Sequence, residues 1–211
     1  AEYLGCRRNF HIVLTDGEWN SGMTNVPGSQ KNYDGERSYW PSHIPTATDA
    51  QTQLYRDRSE TYSSIADWVF YSWANPLKKA SEVTGSLETS LEYRMAPATE
   101  TFENRVSKTK ATLDRYWNPR YNPATWPHLV TFTIGFSTDA LPKKNYKLVG
   151  SSHVEQTDDP ITKPTSLVPY GYDGNFADYA NGTYRWRASS DKGHEMWHAA
   201  INGRGQFYAV E

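Results

Sequence analysis

A single cysteine, Cys6, in 211 residues excludes an internal disulfide framework and any CxxC-type zinc or redox motif. No stretch approaches the roughly 18–20 apolar residues of a membrane-spanning helix. Ala1-Glu2-Tyr3 has neither the basic head nor the apolar run of a signal peptide. Charge of one sign is also missing: 22 Lys and Arg against 24 Asp and Glu leave −2, which gives no electrostatic footprint for nucleic acid. There is no phosphate-binding glycine loop, because Gly203 and Gly205 precede a strand pattern rather than a helix. No serine stands in a Gly-x-Ser-x-Gly elbow. Apolar residues make up only 37% of the chain, yet 14% is aromatic, with 8 Trp and 15 Tyr. Disordered chains are poor in aromatics, so this composition describes a folded domain with long, polar, aromatic-studded loops.

What is present begins with Phe10-His11-Ile12-Val13-Leu14, a short β-branched run that stops at Thr15-Asp16-Gly17. The pattern predicts a buried strand with a polar trio at its carboxyl end, where open α/β sheets place ligands. Residues 18–62 lack periodicity and form a long loop. Ser63 or Ser64 then caps a helix with Ile65, Trp68, Val69, Ser72 and Trp73 on one face, ending near Asn75-Pro76. Residues 80–118 read as a weakly amphipathic helix, with Phe102, Val106 and Leu113 as its stripe, plus a connector. A second strand follows at 128–136, then a long irregular stretch at 137–190. A helix at 192–200, a turn at Asn202-Gly203-Arg204-Gly205 and a third strand at 206–210 complete the chain. Helical crossovers between strands imply a parallel α/β sheet.

Three strings carry a resemblance: C-R-x-x-x-x-I-x-L-T-D-G-x-W-N from Cys6, A-T-W-x-H-L-V-T-F-T-I-G-F at 124–136, and W-H-A-A-I-N-G-R-G-Q-F-Y at 197–208. Together, in this order, they resemble the von Willebrand factor A-like region of the PilY-type adhesins of type IV pili. The resemblance implies a partial Rossmann-like sheet with two long insertions, residues 1–211 being the carboxyl portion of that domain. It implies a metal-ion-dependent adhesion site for a divalent cation, Mg²⁺ or Ca²⁺, held by hard oxygen ligands. Asp16 matches the strand-ending Asp of that site, with Thr15, Gly17 and Asn20 on its rim. The Asp-x-Ser-x-Ser loop that would complete it does not occur here. The first three strands are therefore expected outside this chain, and the strand edge and apolar surface should be covered by the remainder of the domain or parent protein. Minor pilins and a host or surface ligand are the further implied partners, at the pilus tip of a Gram-negative bacterium. Cys6 is either a buried reduced thiol or the half of a disulfide whose partner lies outside the chain.

One motif points elsewhere. His194-Glu195-Met196-Trp197-His198 matches the zincin pattern H-E-x-x-H, which would put two imidazoles on one helix face with a glutamate as general base. Ile201 stands where the longer metzincin pattern has Gly, and only thirteen residues follow His198, too few for a helix bearing a third ligand. Asp173 to Asp178 has alternating carboxylates and amides but lacks the glycine and glutamate of a calcium loop. The loop aromatics, among them Tyr33, Trp40, Tyr55, Tyr179 and Trp186, either anchor long loops to the domain or offer contact area to a partner.

Overall fold

The computed structural model describes residues 9–16, 31–57, 64–78, 94–104, 108–136, 145–149, 152–156, 175–182, 185–186 and 192–210. Three strands form its main sheet: β1 (Asn9–Thr15), β4 (Leu129–Phe136) and β7 (Arg204–Val210), in the order β1-β4-β7 and parallel throughout. Each carries one of the three resemblance strings, so those strings are the sheet itself. Two antiparallel hairpins stand apart from it, β2 (Thr99–Glu103) with β3 (Lys110–Asp114) and β5 (Asn145–Val149) with β6 (Ser152–Gln156). Helix α1 (Asp49–Thr52) is a single turn, α2 (Ile65–Ala74) and α4 (Lys192–Asn202) are the long helices, and α3 (Ala177–Ala180) is short. The result is a partial Rossmann-like α/β fold.

Although the first strand, expected to be buried, is exposed along one face, it and the helix after Ser64, the second strand and the closing helix–strand pair stand where the sequence places them. The region 80–118 does not. Thr99–Asp114 is a β-hairpin in which Phe102 and Leu113 point into the core, 5% and 1% exposed. Their burial comes from strand alternation, not from a helical stripe. Val106 lies outside the described residues. The stretch 137–190 is also less irregular than expected, since it holds the β5–β6 hairpin and α3.

Helix α2 starts at a reciprocal cap. Ser64 Oγ accepts from the Asp67 amide at 3.2 Å, and the Asp67 carboxylate accepts from the Ser64 amide at 2.8 Å. Its buried face is Ala66, Asp67, Val69, Phe70, Trp73 and Ala74. The expected face was rotated from this, with Ile65, Trp68 and Ser72 only half-buried. The helix is enclosed by the sheet and α4 on one side and by loop aromatics on the other, so burial does not follow one stripe.

Helices α2 and α4 pack on the same face of the sheet. Thr133 Oγ1 donates to the Met196 carbonyl at 2.8 Å, and a side chain on Gly203 would meet Val69 Cγ1 at 2.6 Å. Beyond the helices a third layer of loop aromatics closes the core. Trp40 stacks on Trp117 at 5.1 Å, and Trp73 meets Trp126 edge-on at 5.2 Å. The loop aromatics named in the sequence, where described, are thus largely anchors: Tyr55, Tyr179 and Trp186 are fully buried. A one-residue bulge in β7 follows Arg204, where Gly205 passes so close to the Thr131 carbonyl that a Cβ would lie 2.1 Å from the oxygen.

Among the described residues, no element packs on the other face of the sheet. Phe10, Ile12 and Leu14 of β1 are 54%, 58% and 61% exposed, and Phe136, Tyr208 and Val210 are each about half exposed. Strand β1 is the terminal strand of the sheet among the described residues, with β4 its one neighbour.

Candidate functional site

Parallel strands bring their carboxyl ends to one edge. Thr15 pairs with Gly135 of β4, and Asp16 follows at once, exposed, at the end where a doubly wound sheet presents ligand groups. Gly17, Asn20 and Cys6 lie outside the described residues. A divalent cation needs six or more oxygen donors, and one carboxylate does not fit that demand. Among the described residues, no group of three His, Cys, Asp or Glu side chains is placed to hold a metal.

The densest chemistry is inside. His194, Glu195 and His198 sit on α4 at 0%, 3% and 0% exposure. His198 Nε2 lies 2.7 Å from the Tyr55 carbonyl and 3.3 Å from Asp34 Oδ2. Both neighbours are acceptors, so Nε2 carries the proton and the neutral ring keeps Nδ1 as an acceptor. Trp186 stacks flat on that ring at 4.9 Å, and its indole N–H donates to the Leu54 carbonyl at 2.6 Å. A catalytic zinc keeps an open coordination position reachable by substrate. Here His198 Nε2 is engaged and both rings are buried, and nothing in the arrangement favours a peptidase.

Glu195 has another task. Its Oε1 accepts from the Ile65 amide at 2.7 Å and the Ala66 amide at 3.4 Å, the first two N–H groups of α2. These donors have no partner within their own helix, and the helix dipole adds a partial positive charge there. Beside it, Asn202 donates to Asp34 Oδ2 at 2.7 Å and to the Ala66 carbonyl at 3.1 Å, while the Asp34 amide donates to Asp67 Oδ1 at 3.3 Å. Burial pushes the Asp34 carboxyl well above the usual range, and the nearby Asp67 adds to it. Burial likewise raises Asp67 and Glu195 and lowers His198. The cluster thus binds the loop at 31–57, the start of α2 and the length of α4 into one polar knot.

Arg204 closes the other end of that knot. Its guanidinium lies 4.2 Å from the Tyr55 ring and 4.0 Å from the Trp73 ring, and it donates to the carbonyls of Ile201 and Tyr116, both at 3.1 Å. The backbone at Arg204 is left-handed, φ 58°, a conformation held in place by this packing. Asp34, Asp67, Asn202 and Arg204 were not singled out from the sequence as site residues. The one available signal was Ser64-x-x-Asp67, a capping pattern.

Comparison with known proteins places these features in context. No family model matches the chain, and no solved structure matches it. Over 219 residues, covering the whole chain, it is 29% identical to the type IV pilus biogenesis factor PilY1 of Pseudomonas aeruginosa strain PAO1. The chain is PilY1-like over its full length. It is 28% identical to PilY1 of strain UCBPP-PA14 and 26% identical to that of strain PAK, over 98% of the chain in each case. It spans only 14–15% of the length of these relatives. No helix among the described residues is long and apolar enough to cross a membrane.

Proposed function

We propose that this chain is a non-enzymatic module of a type IV pilus biogenesis and adhesion protein. It is the carboxyl portion of a von Willebrand A-like domain, exposed at the cell surface or pilus tip. The observation that carries the reading is the similarity to PilY1 along the entire chain, with the three sequence anchors falling on the three strands of the sheet. In this reading Asp16 supplies one ligand to a divalent cation at the strand ends, with Thr15, Gly17 and Asn20 shaping its rim. The remaining ligands come from polypeptide outside this chain. The cation would leave a coordination position for a carboxylate on a surface ligand or a minor pilin.

The test is made in the intact parent protein. Manganese binding, followed by electron paramagnetic resonance, is expected to weaken at least tenfold in Asp16→Ala, with cation-dependent surface adhesion falling in parallel. Normal manganese affinity in that variant removes Asp16 from the site. Unchanged piliation and adhesion after in-frame deletion of residues 9–210 would overturn the pilus reading as a whole.

A further inference from the structure

We infer that the turn at Asp34 is a proton-held latch: Asp34 docks into the buried knot as a neutral carboxylic acid, and its ionisation as pH rises releases the turn from helices α2 and α4. The turn occupies residues 31–36. Asn32 shapes it, since the Gly35 amide donates to Asn32 Oδ1 at 2.7 Å and the Glu36 amide donates to the Asn32 carbonyl at 3.0 Å. Asp34 is its one fully buried residue, at 0% exposure, while Glu36 is exposed. The tip of the turn is thus a carboxyl pushed between two helices, and a carboxyl is almost never fully buried unless it is paired.

Among the described residues no lysine or arginine pairs with it. Helix α2 faces Asp34 with Asp67, whose Oδ1 accepts from the Asp34 amide. Helix α4 faces it with His198 and Asn202, with Glu195 close by. In the same loop, Lys31 lies over the Tyr39 ring at 4.9 Å, Glu36 accepts from Ser38, and Arg56 donates to Thr52 and to the Asp49 carbonyl. His198 is no counter-ion: its Nε2–H faces the Tyr55 carbonyl at 2.7 Å and Asp34 Oδ2 at 3.3 Å, and burial holds the ring neutral.

Donor counting places the proton. Asp67 accepts from the Ser64 amide, the Ser64 hydroxyl and the Asp34 amide, and Glu195 accepts from two amides at the start of α2. Those are partners for anions. Asp34 Oδ1 meets no donor, and neither do Glu195 Oε2 and Asn202 Oδ1 in the same knot. A surplus of buried acceptors is costly, and a neutral carboxyl relieves it by bringing an O–H donor of its own. Ionised, Asp34 would add a third negative charge to a dry cluster that already holds two.

The sign follows. Burial and Asp67 push the docked carboxyl above its usual range, whereas in an open turn it titrates near about 4. Docking is fully favoured below that value, and the closing equilibrium falls by up to about tenfold per pH unit as pH rises toward the docked value. Tyr33 leaves with the turn. Its ring lies 5.3 Å from Trp68 and 4.8 Å from Tyr71, so opening uncovers an aromatic strip on the outer side of α2. The inference needs neither the cation site nor the pilus role, and its test fails separately from theirs.

The experiment uses the full-length parent protein. Hydrogen exchange at the amides of Asp34, Gly35 and Glu36 is followed from pH 5 to pH 8, with each rate divided by its intrinsic rate at that pH. Protection there is expected to fall at least tenfold over the range, while amides within 129–136 change less than threefold. The isosteric Asp34→Asn is expected to hold its protection within threefold throughout. Protection that is flat or rises with pH in the unsubstituted protein overturns the latch. An equal fall in Asp34→Asn assigns the titration to another group, and an equal fall in strand β4 makes the opening global; either result overturns it too. Where the variant fails to fold, carbon-13 labelling of aspartate in the unsubstituted protein decides. Infrared difference spectra between pH 5 and pH 8 are expected to show an isotope-shifted carboxylic-acid carbonyl band, and its absence sinks the inference.

Discussion

Glu195 offers the sharpest test of how the interior is built, because two substitutions there should behave differently. Glu195→Ala removes the acceptor for the Ile65 and Ala66 amides and leaves two first-turn donors of α2 without partners in a buried setting. An unsatisfied buried donor costs about 1–3 kcal/mol. With the Ala66 bond long at 3.4 Å, the sum is about 3 kcal/mol. In a domain of this size 1 kcal/mol moves the thermal midpoint by roughly 2–4 °C, so the midpoint should fall by about 10 °C. Glu195→Gln keeps a carbonyl oxygen for the Ile65 amide and removes the charge. Burial raises the Glu195 carboxyl above its ordinary range, which says that desolvation outweighs the attraction of its neighbours. The glutamine variant should therefore lie within about 1 kcal/mol of the parent chain at pH 7. The sign of its pH dependence follows. A carboxyl raised in the folded state contributes stability below its unfolded pKa and loses it as pH rises through the folded value. Glutamine suffers no such loss, so it should gain on the parent as pH increases. Thermal unfolding followed by tryptophan fluorescence reads both effects. If Gln is as damaging as Ala, the charge and not the hydrogen-bond geometry carries the contact. If Ala leaves the midpoint within 2 °C, Glu195 does not cap α2 at all.

Two further outcomes are expected. Asp34→Asn should gain stability relative to the parent chain as pH rises above about 4, by up to about 1.4 kcal/mol per pH unit, because burial and Asp67 raise the Asp34 carboxyl in the folded state; urea midpoints at several pH values measure it, and a flat or reversed difference refutes it. Arg204→Lys keeps the charge but loses the planar fork between Tyr55 and Trp73, so it should cost about 2 kcal/mol; an unchanged urea midpoint would show that stacking and the two carbonyl bonds contribute little.

The sheet was legible because its strands announce themselves locally. Phe10–Leu14 and Leu129–Phe136 are rich in β-branched residues and Gln206–Val210 in aromatic ones, and their order with intervening helices sets parallel pairing. The β2–β3 hairpin was not legible. Thr99–Glu103 and Lys110–Asp114 alternate threonine and charge with single buried side chains, a weak period-two signal that a helical stripe through Phe102 and Leu113 imitates. The buried knot was hidden for another reason. Asp34, Asp67, Glu195 and Asn202 come from three segments 33 to 168 residues apart, and only the fold brings them together. The motif that did stand out, His194 to His198, drew attention to the helix at the centre of the knot, where His198 and Glu195 hold backbone groups of neighbouring segments.

That use of Glu195 bears on the strand ends. Helix α4 passes through Gly203 directly into β7, so its amino end lies toward the carboxyl ends of the strands. Helix α2 runs alongside, entering beside Glu195 and leaving with Trp73 beside Arg204, so its amino end faces the same way. In nucleotide-binding doubly wound folds such helix starts bind phosphate. Here the start of α2 is filled from within by two carboxylates, Glu195 on the first amides and Asp67 on Ser64. An anion arriving there would meet negative charge in place of free donors. Among the described residues at this edge, Asp16 is an exposed carboxylate at the end of β1. Among the described residues, the start of α2 is therefore an unfavourable seat for a phosphate.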